Sequence, residues 1–279
     1  MIYQLTQDSP HYIDWISSLP PVYCILCKLN LNLVVLIQIV VLLFGSFQIT
    51  KFLNLKNKYL KLLAFLVAVS PIAIWGIKIG NDLLGYSLML IALSVFHKNK
   101  KLFFIVTLVT VLTRWQYCFL FLLFLIDRQT IKYFLISCVL LFVIGFKCHL
   151  NPVQRLSIPL NYIATAYDTK PDKISHAVWF NKNLDTISSG TVDISKFDIK
   201  KFATLTGSKV YDNFRLHQLF VIPLLFLLGS WKVRFLLWGA MFHYSEVFIA
   251  SSPYFQRHTF MIELCIILAM IKFYDDYKP

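Results

Sequence analysis

Nine apolar runs separated by short polar breaks make up most of this chain. They fall at roughly 31–50, 61–77, 79–97, 102–112, 117–126, 132–147, 218–229, 234–250 and 258–272. In hydrocarbon a segment must satisfy its own backbone hydrogen bonds, so such runs predict helices. Composition points the same way. Hydrophobic residues are 58% of the 279 and charged residues 15%, where a soluble domain needs about 25% to keep its surface wet. The fold class expected is an all-α integral membrane protein. It is a polytopic helical bundle of about nine apolar segments, some short or paired, with one extracytoplasmic soluble segment. A soluble enzyme, a disordered chain and a disulfide-rich secreted module are excluded.

The chain divides into three regions. Residues 1–147 form an N-terminal membrane region with a first outer loop, and 218–279 a C-terminal membrane region. Between them, 148–217 holds nine Lys/Arg, six Asp and many Ser, Thr and Asn. It reads as a water-soluble segment over the outer mouth of the bundle. Residues 155–166 in it have the pattern of an amphipathic helix lying on the membrane.

Net charge is +13, which in a soluble protein suggests a nucleic-acid partner. Here the cations cluster between apolar runs, where they orient a membrane protein against the cytoplasmic leaflet; no nucleic acid is expected. Their distribution also bears on the runs 102–112 and 117–126, which Thr113-Arg114-Trp115-Gln116 separates. The two are either one long helix with Arg114 at its middle or two short helices turning back at Arg114. With the N-terminus outside, turning back puts Lys51, Lys56, Lys58, Lys61, Lys98, Lys100, Lys101, Arg128, Lys132, Lys232, Arg234, Lys272 and Lys278 inside. Only Lys28, Lys78, Arg114 and Arg257 stay outside. An unbroken helix would split the cations evenly and hold an arginine at mid-bilayer, at a cost of at least about 2.5 kcal/mol. Turning back is the expectation, with the N-terminus and 148–217 extracytoplasmic and the C-terminus cytoplasmic.

Cysteine chemistry contributes little. Cys118, Cys138 and Cys265 lie in apolar runs and read as small buried hydrophobes. Cys24 and Cys27 have CxxC spacing without a second pair or a histidine, so no metal site is expected from them.

This topology collects the polar residues other than lysine on the outer rim, and each has a plain structural role as well as a chemical one. Asp8 is an outside carboxylate that suits proton abstraction from a sugar hydroxyl or a divalent ion. Followed by Ser9-Pro10, it equally suits a helix N-cap. Asp14 shares that loop and serves equally as a water-facing charge. Asp82 opens an apolar span after Gly80-Asn81 and is a substrate contact or an N-cap. Arg114, beside Trp115 and Gln116, suits a planar phosphate or a structural pair with an acid such as Asp82. Arg257 and His258 open the last span, where a helix N-terminus already favours anions; interfacial snorkelling is the alternative. Trp179, with His176, either stacks on a sugar or fills a small core. His243 and Glu246, inside an apolar span, read as paired to each other or to neighbouring helices.

An outer acid with a nearby tyrosine comes first (Asp8, Tyr12), then Pro20-Pro21. Asn81-Asp82 opens a helix, Thr113-Arg114-Trp115-Gln116 breaks one, and Pro253-Tyr254-Phe255-Gln256-Arg257-His258 precedes the last span. This order resembles the GT-C superfamily, polytopic glycosyltransferases that use polyprenyl-phosphate-linked sugars. The stretch from Arg155 to Ala164 also looks like the outer loop of a bacterial membrane family associated with that superfamily. The resemblance implies an inverting transfer of sugar to a glycan, lipid or protein acceptor on the extracytoplasmic face. Asp8 would be the catalytic acid of the first outer loop, and Arg257 the arginine before the last span, with His258 where a tyrosine is common. Asp82, Arg114, Arg257, His258, Tyr12 and Trp179 would bind substrate, with no resident metal assigned and a divalent cation left open as cofactor. It further implies a spanning helix ahead of the acid, so this chain is expected to lack the family's first helix. Two other classes remain: a glycan-lipid translocator or polymerase, and a non-catalytic scaffold subunit.

Overall fold

The computed structural model describes residues 22, 25–26, 31–75, 81–125, 130–147, 200, 216–249 and 255–278. Among the described residues there are helices and no strand. In chain order they are α1 (Leu31–Leu53), α2 (Lys58–Val69), α3 (Pro71–Trp75), α4 (Asn81–Val95) and α5 (Lys100–Thr113). A 3-10 stretch, η1 (Trp115–Leu125), follows, then α6 (Ile131–Lys147), α7 (Leu216–Leu228), α8 (Trp231–Ile249) and α9 (Phe255–Tyr277).

Local chemistry sets the ends. Asn57 caps α2 by accepting from the Tyr59 amide at 2.8 Å, and Asn99 caps α5 by accepting from the Leu102 amide at 3.0 Å. Both supply an acceptor to amides that a first helical turn leaves unpaired. Ser70 and Pro71 divide the apolar run 61–77 into α2 and α3. The Ser70 amide closes the last turn of α2 on Leu66 and Val67, and Pro71 suits the first position of a new helix.

One helix among the described residues is long and apolar enough to cross a membrane, 22 residues of α1 from Asn32 to Leu53 at a mean hydropathy of 2.3. The nine expected segments therefore do not each form a full-length apolar helix. The causes are visible in the residues. A break at Ser70 shortens one run, and the runs on either side of Arg114 form separate segments of 14 and 11 residues. Lys232, Arg234 and Glu246 interrupt α8, while Arg257, Glu263, Lys272, Asp275 and Asp276 interrupt α9.

At Arg114 the chain turns back. Phe103, in the first turn of α5, meets Phe124, near the end of η1, with ring centroids 4.7 Å apart. The α5 helix has 14 residues and η1 has 11. An α-helix of that length rises about 21 Å, at about 1.5 Å for each residue. The 3-10 stretch rises about 22 Å, at about 2.0 Å for each residue. The tighter winding lets a shorter segment match its partner's length.

The contacts bring many element ends to one end of the bundle. Phe52, closing α1, packs on Trp231, opening α8, at 5.6 Å. Phe96, just after α4, stacks on Phe235 at 4.7 Å. Phe104 of α5 meets Tyr133 of α6 at 5.3 Å. The Tyr277 hydroxyl donates to the Leu228 carbonyl, joining the ends of α9 and α7. Twelve of the thirteen cations expected inside lie at this end; the thirteenth, Arg128, is outside the described residues.

The core contains Tyr86, Phe96, Phe103, Tyr117 and Phe124 with leucines of α1, α4 and α8. Away from it the surface stays apolar. On α1 the outward residues are Leu33, Leu36, Val40, Leu43, Phe44 and Phe47, while Gln38 and Ser46 are buried. A helix that is hydrophobic all round belongs in a large core or a membrane. Cys138, expected to be buried, is exposed on α6 beside Leu135, Ile136 and Val139. Among the described residues α6 packs chiefly on η1, and its Cys138 face is left uncovered.

Where α1 crosses α4 the backbones nearly touch. A Cβ on Gly45 would lie 2.6 Å from the Ser87 carbonyl oxygen, so only glycine permits this approach.

Candidate functional site

Arg114 closes α5 in extended backbone, φ −155° and ψ 115°. Its amide donates to the Thr110 carbonyl at 2.9 Å, and its carbonyl accepts from the Tyr117 amide at 3.2 Å. The backbone of the break is thus internally satisfied, and the half-buried side chain leaves from the tip of a hairpin. That tip is one α5 length, about 21 Å, from the lysine-rich end where α5 begins.

Against this tip rests the start of α4. A Cβ on Gly85 would meet the Tyr117 ring at 2.6 Å and the Arg114 Cβ at 3.1 Å. Tyr117 is 1% exposed and has no room to swing away. Asp82 stands three residues before Gly85, and residues three apart share a helix face. The backbone therefore sets Asp82 on the face of α4 that meets Arg114, one turn further out. The start of α4 is tied down independently by Tyr86, whose hydroxyl donates to the Ala68 carbonyl of α2 at 3.0 Å.

Arg257 and His258 occupy the third and fourth positions of α9. The last turn of that helix reaches the lysine-rich end, so its first turn lies at the far end, as Arg114 and Asp82 do. Lateral neighbours differ, however. α9 packs chiefly on α8 and α2, whereas Arg114 sits among α4, α5 and η1. Asp8, Tyr12 and Trp179 lie outside the described residues, as does Asp14. Among the described residues no group of three His, Cys, Asp or Glu side chains is placed to hold a metal.

Two participants were not singled out from sequence, Gly85 and Tyr117. A glycine inside a helical pattern hints at close approach, but the sequence does not say what approaches. Gly85→Ala should cost about 1–3 kcal/mol by overpacking and shift the Arg114 hairpin away from α4. Thermal unfolding of the chain checks this, and an unchanged melting temperature would mean the notch is not tight.

No family model, curated protein or solved structure matches the chain.

Proposed function

We propose that the chain is a multi-pass membrane glycosyltransferase of GT-C type. It would move a sugar from a polyprenyl-phosphate donor to a glycan, lipid or protein acceptor on the extracytoplasmic face. The observation that carries this reading is Arg114, held at a helix break beside the first turns of α4, at the end opposite twelve clustered cations. An arginine so placed presents a fixed, planar donor set suited to a phosphate. The leaving polyprenyl phosphate gains charge as the sugar departs, and a preorganised cation stabilises that charge. Arg257, at the same end, would be a second phosphate contact, and Asp82 would orient Arg114 or the sugar. Asp8 would take the acceptor's proton.

Spanning a bilayer is part of the proposal. Its support is the apolar outward face of α1, with its counterparts on α2 and α6, and the collection of cations at one end, as a cytoplasmic face requires. The buried hydroxyls Ser87, Thr110 and Thr113 donate to carbonyls of their own helices at 2.6, 2.6 and 2.8 Å. These three hydroxyls are spent on their own turns rather than offered across the bundle, which among the described residues is the support for a transferase over a translocator.

The test is retention of polyprenyl phosphate, the moiety common to every donor of this class, by the full chain in proteoliposomes. Losing one charge-assisted contact of about 1.5–3 kcal/mol weakens binding about 10- to 150-fold. Arg114→Gln is expected to show this loss, and Arg114→Lys a partial one. Equal retention by Arg114→Gln and the unaltered chain sinks the assignment.

A further inference from the structure

The lysine-rich end holds more positive charge than its own acids neutralise. Among the described residues, twelve cations stand there against Asp275 and Asp276. Both acids are already engaged. The Asp275 carboxylate accepts from the Lys56 amide at 2.7 Å and the Asn57 amide at 3.1 Å. Asp276 pairs with the nearly buried Lys272 at 2.5 Å through one oxygen, and its other oxygen is buried away from the surface without a hydrogen-bond partner among the described residues. Lys232 donates to the Leu53 carbonyl at 3.4 Å, which uses one of its three protons. Lys98 is exposed.

Lys232 and the turn that carries Lys98 meet at one aromatic post. Trp231 is fixed by His97 at 4.1 Å and by Phe52 at 5.6 Å, yet remains 49% exposed. The Lys232 ammonium stands 5.7 Å from its ring centroid. We propose that Lys232 and Lys98, beside Trp231 and with the buried Lys272 behind them, form a seat for the phosphate of an anionic phospholipid headgroup. Burial first, and then the neighbouring charges of Lys272 and Lys98, push the Lys232 ammonium below its ordinary range, against the pull of Asp276. An anion between them would relieve that repulsion.

A lipid rather than free phosphate fits because the seat is bordered by apolar surface. Leu227, 72% exposed, and Leu228, 51% exposed, end α7 next to Trp231 and offer a track for an acyl chain. Tyr59, Tyr274 and Tyr277 are exposed at the same end, the arrangement of an interfacial aromatic belt. This inference shares with the proposed function the reading of the chain as membrane-embedded, but not its transfer chemistry.

The full chain, delipidated in detergent and reconstituted into nanodiscs of defined composition, supplies the test by native mass spectrometry of retained lipid. Insertion into pure phosphatidylcholine discs reads the membrane assignment alone, and failure there would remove the premise. In mixed discs, preferential retention of one phosphatidylglycerol over phosphatidylcholine is expected. A lysine within direct reach of the bound headgroup contributes about fivefold. Lys98→Gln, at an exposed position, should therefore lower the preference about that much, and the double variant with Lys232→Gln further. Lys58→Gln with Lys61→Gln, at the same end but on α2, should leave it unchanged. Three results overturn the seat. One is no preference in the unaltered chain, another an equal loss in the α2 pair. The third is displacement of the lipid by millimolar inorganic phosphate, which would mark a simple anion site.

Discussion

Replacing Asp275 by alanine is expected to cost the fold about 2–4 kcal/mol, mostly from two amides left without an acceptor. The carboxylate is 4% exposed and holds Lys56 and Asn57, 219 and 218 residues away in sequence. These residues form the turn between α1 and α2, whose Asn54 has φ 52°, so Asp275 fastens that turn to the end of α9. Neighbouring lysines add attraction, but at a water-facing end solvent screens it; the hydrogen bonds carry the cost. Burial alone would raise the pKa of this carboxyl. The two amides, with Lys272 and Lys56, outweigh burial and hold it below the ordinary carboxylate range.

The consequence for pH follows from that sign. A carboxyl depressed in the folded state stabilises above its unfolded pKa of about 4 and loses that contribution as pH falls through the folded value. The detergent-solubilised chain should thus melt at a constant temperature from neutral pH to about 5, then at lower temperatures as acid protonates Asp275. Asp275→Asn should melt lower at neutral pH, because one amide oxygen replaces two carboxylate oxygens, and should lose part of the acid dependence. If Asp275→Asn melts like the unaltered chain at neutral pH, the fastening is not what secures the turn.

The sequence made the helices legible because hydrophobic length is a local property. The runs 102–112, 132–147 and 234–250 appear as Lys100–Thr113, Ile131–Lys147 and Trp231–Ile249, with ends shifted by a few residues. The turn at Arg114 was legible too, since charge counting makes every later loop depend on it. What was not legible depends on neighbours. Nothing local says that Gly85 faces Tyr117, or that η1 winds as a 3-10 helix to match α5. Asp275 read only as an acid near lysines, whereas its partners are backbone amides on the far side of the sequence. At the candidate site, helix positions for Asp82, Arg114 and Arg257 followed from the runs. The notch that fits Arg114 to α4 needed the pairing of α4 with α5 and η1.

On the proposed glycosyltransferase reading, Asp8→Asn should abolish most transfer while leaving the lipid donor bound. A positioned general base contributes about 10²–10⁴-fold in rate, so turnover should fall by that factor. The substitution separates the two roles open to Asp8. Asparagine caps a helix about as well as aspartate, so an N-cap survives the change, but an amide does not accept the acceptor's proton. Retention of polyprenyl phosphate should match the unaltered chain, because the phosphate contacts assigned to Arg114 and Arg257 are untouched. Turnover and retention measured together on the same proteoliposomes give distinct signatures. Loss of both would place Asp8 in binding or folding, and loss of turnover alone would place it at the proton. Turnover unchanged by Asp8→Asn would remove the base from the mechanism, and a chain with no turnover even unaltered would read as the scaffold subunit instead.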